Sequence, residues 1–198
     1  MKRIHSKDDI VQVGLDIILS KGFNATGVEA ILKQAKVPKG SFYNFFSSKE
    51  DFALAIIDKF AAGRGELFHL IFKDESLPPL ERIKKSFTTL IALFDSDNCT
   101  KGCLIGNLSL EMSDQFEKVR QRLELVFNSW TKFLTRLLLQ AQEKKTIPPD
   151  IDPEMLAENL ISSFEGALLR SKVKKSSEPL NNFIYLYFDR FLNQKEEA

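Results

Sequence analysis

Two groups of side chains in this 198-residue chain have types and spacings that do chemistry. The first centres on Cys103 in Gly102-Cys103-Leu104, with Lys101 two residues before it and Cys99 four residues before it. A cysteine that opens a helix sits among backbone N–H groups with no intrahelical acceptor, at the positive end of the helix dipole, and both favour thiolate over thiol. A thiol whose pKa falls from about 8.5 into the range of about 3.5–7.5 reacts selectively with electrophiles and oxidants, and Cys99 could then act as its resolving partner. Inert packing, the common fate of a small cysteine at a helix start, is the competing reading. The second group is Lys39, Gly40, Ser41, Tyr43 and Asn44. It combines an ammonium, a glycine that admits close backbone approach, a hydroxyl, a phenol and an amide, a set suited to phosphate oxygens and base edges.

Enzyme inventories do not assemble. The two histidines, His5 and His69, stand in no metal-ligand or triad spacing. Carboxylates are scattered among lysines, and no glycine-rich phosphate loop follows a strand. No catalytic residue, metal or cofactor is therefore expected. Two cysteines do not make a disulfide framework for a chain of this size. The start MKRIHSKDD lacks the apolar core of a signal peptide, and no apolar run approaches the roughly 20 residues of a membrane span. A cytoplasmic protein without a membrane partner is expected. The formal net charge of +1 hides a modest basic head, eight basic against five acidic side chains among the first 50 residues, Lys2 and Arg3 included.

Apolar residues recur at helical spacing nearly throughout, which predicts an all-α fold of about nine helices. Ser6 can cap the first helix, whose apolar side runs through Ile10, Val13, Leu15, Ile17 and Ile18 to a stop at Gly22. Thr26-Gly27-Val28-Glu29 has the form of a capping box and predicts a second helix from about Gly27 to Ala35, closed by Pro38. Lys39–Phe46 forms a short third helix, and Ser47-Ser48-Lys49-Glu50 reads as another capping box that opens a fourth, reaching Phe72. Further helices are expected from Pro78 or Pro79 to Phe94, Cys103 to Met112, Asp114 to Lys144, Asp152 to Lys175 and Pro179 to about Gln194.

A helix, a tight turn and a short helix beginning at Lys39 have the dimensions of a helix-turn-helix, in which the second helix enters the major groove of DNA. Phe42 and Phe46 face inward on that helix while Lys39, Ser41, Tyr43 and Asn44 remain outside. At Tyr43-Asn44-Phe45-Phe46-Ser47-Ser48-Lys49-Glu50-Asp51-Phe52 the chain resembles the TetR family, and the resemblance extends over about residues 6 to 57. It implies a DNA-binding domain over residues 1–50, a regulatory and dimerisation domain over residues 51–198, and a homodimer bound to double-stranded operator DNA. It also implies that Lys39, Gly40, Ser41, Tyr43 and Asn44 face bases or phosphates, with Thr26 and Lys49 gripping the backbone at the flanks. Thr26 has a capping role beside the phosphate role, packing among the aromatics is the other reading of Tyr43, and a solvated lysine the other reading of Lys39. Phe45 replaces a histidine common in the family and reads as core.

Two patches are similar to the branch of that family containing the N-ethylmaleimide reductase repressor, which answers electrophiles or oxidants. They are Gly102-Cys103-Leu104 with Leu108-Ser109-x-Glu111, and Ser171-Lys172 with Ser177-Glu178-Pro179-Leu180. This resemblance implies sensing by Cys103 with Lys172. If Cys103 is inert, the signal is instead a small molecule among aromatics such as Phe68, Phe94, Phe127 and Trp130.

The last two helices supply a broad apolar stripe and small residues that permit close approach, so Phe164, Gly166, Ala167, Phe183, Tyr187 and Phe191 are expected at a dimer interface. Closure of the subunit's own core is the other use for that stripe. Taken together, these features predict a repressor released from a pseudo-palindromic operator by a small inducer or oxidant, the alternative being a helical interaction module without DNA.

Overall fold

A computed structural model describes residues 6–192. Lys2, Arg3 and His5 of the basic head, and the expected end of the last helix near Gln194, lie outside the described residues. The elements are α1 (Lys7–Lys21), α2 (Val28–Ala35), α3 (Lys39–Phe45), α4 (Lys49–Phe72), α5 (Pro79–Ser96), α6 (Leu104–Met112), α7 (Glu117–Glu143), α8 (Pro153–Lys174) and α9 (Glu178–Ile184), the last continued by a π-helical segment, Tyr185–Phe191. No strand occurs among the described residues, and no helix there is long and apolar enough to cross a membrane.

Local chemistry sets most boundaries. The Ser6 hydroxyl accepts the N–H of Asp9 while the Asp9 carboxylate accepts the N–H of Ser6, a reciprocal cap. Gly22 ends α1 at φ +86°, a positive φ that a side chain would strain. Pro79 fills the first position of α5, and Asp152 caps α8 through the N–H of Met155 at 2.7 Å.

Two caps differ from expectation. Gly27, not Thr26, is the N-cap of α2 and no side chain bonds there. The Thr26 hydroxyl points backward and donates to the Gly22 carbonyl at 2.6 Å, while Glu29 pairs with Lys39. At α4 the cap is Ser48, whose hydroxyl accepts the Asp51 N–H at 3.0 Å, and the Asp51 carboxylate accepts the N–H of Ser47. The serine pair leaves the frame ambiguous by one residue in the sequence.

The chain divides into two compact units. One comprises residues up to Arg64 together with Cys103–Val126, and the other comprises Gly65–Gly102 together with the residues from Phe127 onward. Within the first unit, α6 packs against α1 and buries Leu104, Ile105, Leu108 and Met112. Phe42, Phe46 and Phe52 form an aromatic triangle with ring centres 4.9–5.3 Å apart. Gly14 lies against it, and a Cβ there would stand 2.3 Å from Cζ of Phe52. Only glycine lets α1 approach that ring.

In the second unit Phe87 of α5 meets Phe164 at 4.9 Å, Phe183 at 5.0 Å and Phe188 at 6.0 Å. Phe164 and Phe183, expected on a dimer face, are therefore buried in the subunit's own core. The buried Arg82 donates to the carbonyls of Leu77 at 2.8 Å and Phe72 at 3.1 Å, tying the end of α4 to the start of α5. The final helix widens after Ile184: the Leu192 N–H donates to the carbonyl of Tyr187, five residues back, at 2.8 Å.

Candidate nucleic-acid interface

The turn between α2 and α3 is three residues long and built for sharpness. Lys36 adopts φ +57° and ψ +42°, a left-handed cap, and the Val37 N–H then returns to the Leu32 carbonyl at 3.0 Å. Val37 is buried as the pin of the turn, and Pro38 at φ −60° launches α3. The inward residues of α3 are Phe42 and its C-cap Phe46, both locked in the aromatic triangle. Lys39, Gly40, Tyr43 and Asn44 are exposed and Ser41 is half-buried. Tyr43 is 59% exposed, its ring edge-on to Phe42 at 5.4 Å, which fixes the ring and leaves the hydroxyl outside. A Cβ at Gly40 would meet open space, so nothing within the chain calls for glycine there.

Phe45 is not core. It is 37% exposed, because a seven-residue helix can seat only one side and Phe42 and Phe46 already fill it. Sequence reasoning also missed an ion pair: the Lys39 ammonium lies 2.8 Å from the Glu29 carboxylate. Hydrogen bonding and charge in that pair hold the Glu29 carboxyl below its ordinary pKa and Lys39 above its own.

The expected flanking grips are occupied within the chain. Thr26 is buried with its hydroxyl committed to Gly22. Lys49 donates to the Phe23 carbonyl at 2.7 Å and lies 4.1 Å from the centre of the Phe23 ring. Burial lowers its pKa, partly opposed by the charge of Glu111. What the flank does present is the N-terminus of α2, whose first N–H groups have no side-chain cap.

Among the sensing residues, Cys103 is the half-buried N-cap of α6, with φ −89° and ψ 127°. Lys101 is ion-paired with Asp97 at 2.8 Å. Cys99 is buried, its thiol 3.5 Å from Asp95 Oδ1, and burial followed by that hydrogen bond and charge push its pKa up. That setting keeps Cys99 a thiol, the opposite of what a resolving thiolate needs. Lys172 is half-buried in the last turn of α8 and belongs to the other unit from Cys103. Phe94 is buried, while Phe68, Phe127 and Trp130 are half-buried, with Phe127 edge-on to Trp130 at 5.5 Å.

Of the expected interface residues, Gly166 and Phe191 are exposed and Ala167 and Tyr187 half-buried. The Tyr187 hydroxyl bonds Asn159 at 2.7 Å and Ser163 at 2.8 Å. Along α8 the exposed Gly166 is joined by Met155, Leu169 and Val173, which sequence reasoning missed, the last two 57% and 76% exposed. Their spacings of eleven, three and four residues are helical, but the buried stripe of the same helix has the same period.

The family model for bacterial regulatory proteins of the tetR family matches residues 10–56, and that for the tetracyclin repressor-like C-terminal domain matches residues 79–186. The chain is 35% identical to the HTH-type transcriptional repressor DhaR of Mycobacterium sp. (strain GP1), over 99% of this chain and 97% of that one. It is 30% identical to the HTH-type transcriptional repressor NemR of Escherichia coli (strain K12), over 89% of each. Among solved structures, regulatory protein TetR from Rhodobacter sphaeroides matches with a TM-score of 0.85 and 35% identity, covering 89% of this chain and 93% of that one.

Proposed function

The chain belongs to the TetR family of bacterial regulatory proteins, and from that premise we propose that it is a transcriptional repressor, a cytoplasmic homodimer that sets two copies of α3 about one DNA turn apart, roughly 34–36 Å, on a pseudo-palindromic operator. The observation that carries this reading is the division of α3. Phe42 and Phe46 are buried, while Lys39, Tyr43 and Asn44 project outward beside a glycine that nothing in the chain requires. Tyr43, Asn44 and Ser41 offer hydroxyl and amide groups to base edges and phosphates, and Gly40 lets the backbone come close. At the flank, the uncapped N–H groups of α2 take the phosphate in place of the Thr26 hydroxyl. The exposed stripe Met155-Gly166-Leu169-Val173, with Tyr187 and Phe191, is the dimer face, since an apolar face of that extent needs a cover.

Release comes from a second state in which the two reading helices are wrongly spaced. A differential affinity of a few kcal/mol between the states empties the operator. Cys103, at the start of α6, is the sensing residue, with a small electrophile or oxidant as the signal.

The test is a mobility shift on the DNA flanking the coding sequence, at two salt concentrations, with and without N-ethylmaleimide. Binding that weakens steeply with salt supports the repressor, because neutralised phosphates release counterions. Absence of binding to any nearby DNA would leave only a helical protein-interaction module. Cys103→Ser is expected to keep DNA binding and lose release by the maleimide. Release that persists in this variant transfers the signal to a ligand held among the aromatics of the second unit.

The Glu29–Lys39 pair makes a separate prediction. Lys39 must exchange a carboxylate for a phosphate on binding, and Glu29 itself repels the DNA. Glu29→Gln is therefore expected to tighten binding to operator and unrelated DNA alike by about two- to tenfold at low salt, an effect that shrinks as salt rises. Titrating both DNAs by fluorescence anisotropy checks it, and weaker binding by the variant would show that the pair orders Lys39 for contact.

A further inference from the structure

Glu111 stands in the last turn of α6, and its carboxylate reaches the loop between α1 and α2. Oε2 accepts the backbone N–H of Asn24 at 2.8 Å, across 87 positions of sequence. The same carboxylate covers Gly22: a Cβ there would lie 3.0 Å from Oε1 and 3.3 Å from Oε2. The loop is held as well by Thr26 on the Gly22 carbonyl and by Lys49 on the Phe23 carbonyl and ring. Glu111 is the member of this knot that comes from outside the first four helices. Its bond joins an ionised acceptor to a backbone donor, a class about twice as strong as the neutral kind.

What the knot controls follows from chain order. The loop leads straight into Gly27, the N-cap of α2, and Lys49 begins α4 after a three-residue link from the reading helix. α6 has nine residues, so it is a rod about 13 Å long, with Cys103 at one end and Glu111 in the last turn at the other. Its buried residues Leu104, Ile105, Leu108 and Met112 seat it on one side without fixing the loop.

We infer that Glu111 is a positioning residue for DNA binding, its carboxylate tying α6 to the α1–α2 loop so that occupancy of the reading helix is transmitted along α6. The inference rests on the repressor reading but not on thiol chemistry at Cys103. Coupling between two sites is reciprocal, so DNA is a sufficient probe whatever the inducer is.

Amide hydrogen exchange of the full chain, with and without the flanking DNA, tests it. In the wild type, DNA is expected to slow exchange in α3 and, by about fivefold or more, in residues 104–112, fivefold being the low end of ordinary allosteric coupling. Glu111→Ala is expected to retain the DNA-dependent slowing in α3 and to reduce that in 104–112 below about twofold. Glu111→Gln, which keeps an acceptor oxygen, should restore most of it. A residue that only stabilised the head would change exchange in α6 equally with and without DNA. Full DNA-dependent slowing of 104–112 in Glu111→Ala overturns the tether, as does wild-type slowing confined to α3. No slowing anywhere in the wild type sinks the repressor reading and the tether with it, a result visible before any variant is made.

Discussion

A Phe52→Ala chain is expected to lose about 3–5 kcal/mol of stability, and its DNA binding with it. Phe52 is fully buried, packed on Phe46 at 4.9 Å and Phe42 at 5.3 Å, with Gly14 beneath it. Truncating the ring removes its transfer energy and leaves a cavity under the helix that must present Lys39 and Tyr43. A loss of that size takes a large part of the roughly 5–15 kcal/mol that holds a protein folded. The reciprocal change is Gly14→Ala. Alanine gains about 1 kcal/mol of helix propensity, but its Cβ collides with a ring that has no free side to turn to, and overpacking of this kind costs about 1–3 kcal/mol. The clash is expected to win. Combining Gly14→Ala with Phe52→Leu should recover part of the loss, because the smaller side chain vacates the space the new methyl needs. Denaturant midpoints of the four chains measure this, and additive effects in the double variant would show that the two residues do not share one space.

Lys39→Ala and Tyr43→Ala are expected to weaken operator binding with the fold and the dimer intact, and in different ways. Both side chains are exposed, so stability should move by no more than about 0.5 kcal/mol. Removing a phosphate partner reduces affinity for all sequences and lowers the salt slope by about one. Its net effect is smaller than for a free lysine, because Glu29 already competes for the ammonium. Tyr43 is held edge-on against Phe42 and loses little freedom on binding. Its removal should cost about 10- to 100-fold on the operator, the range of a specific base-edge contact, and less on unrelated DNA. Anisotropy titrations over a salt series separate the two. Unchanged affinity in both variants would mean that α3 does not read DNA.

The residues that made this fold legible carry strong local chemistry. Ser6, Gly22, Pro38, Pro79 and Asp152 each mark a helix end where the structure has one, because caps and prolines act over three or four residues. Pairs that meet through folding were not legible. Glu111 belongs to the Leu108-Ser109-x-Glu111 patch, yet nothing in sequence order connects it to Asn24. Glu29 was assigned to a cap at Thr26 because spacing alone suits that role, whereas the turn brings Lys39 close enough to claim it. Phe45 and Phe164 fail in opposite senses. In an aromatic-rich sequence, type alone does not say which ring is seated, and Phe45 is displaced outward by neighbours that fill the space while Phe164 is drawn into a core that also needs Phe87 and Phe183.

The wide turns from Tyr185 to Phe191 bear on how the length of this protein can change. Each N–H there reaches one residue further back than in an α-helix, so the segment already holds the equivalent of an extra residue. Loss of a surface position such as Leu186 could be absorbed by reverting to ordinary helical pitch, with Phe188 and Leu192 still directed inward. The same loss in the middle of α8 would rotate everything beyond it by about 100°, carrying Leu168 out of the core. Insertions and deletions between relatives are therefore expected to collect in this last helix, where the backbone supplies slack that the packed side chains lack.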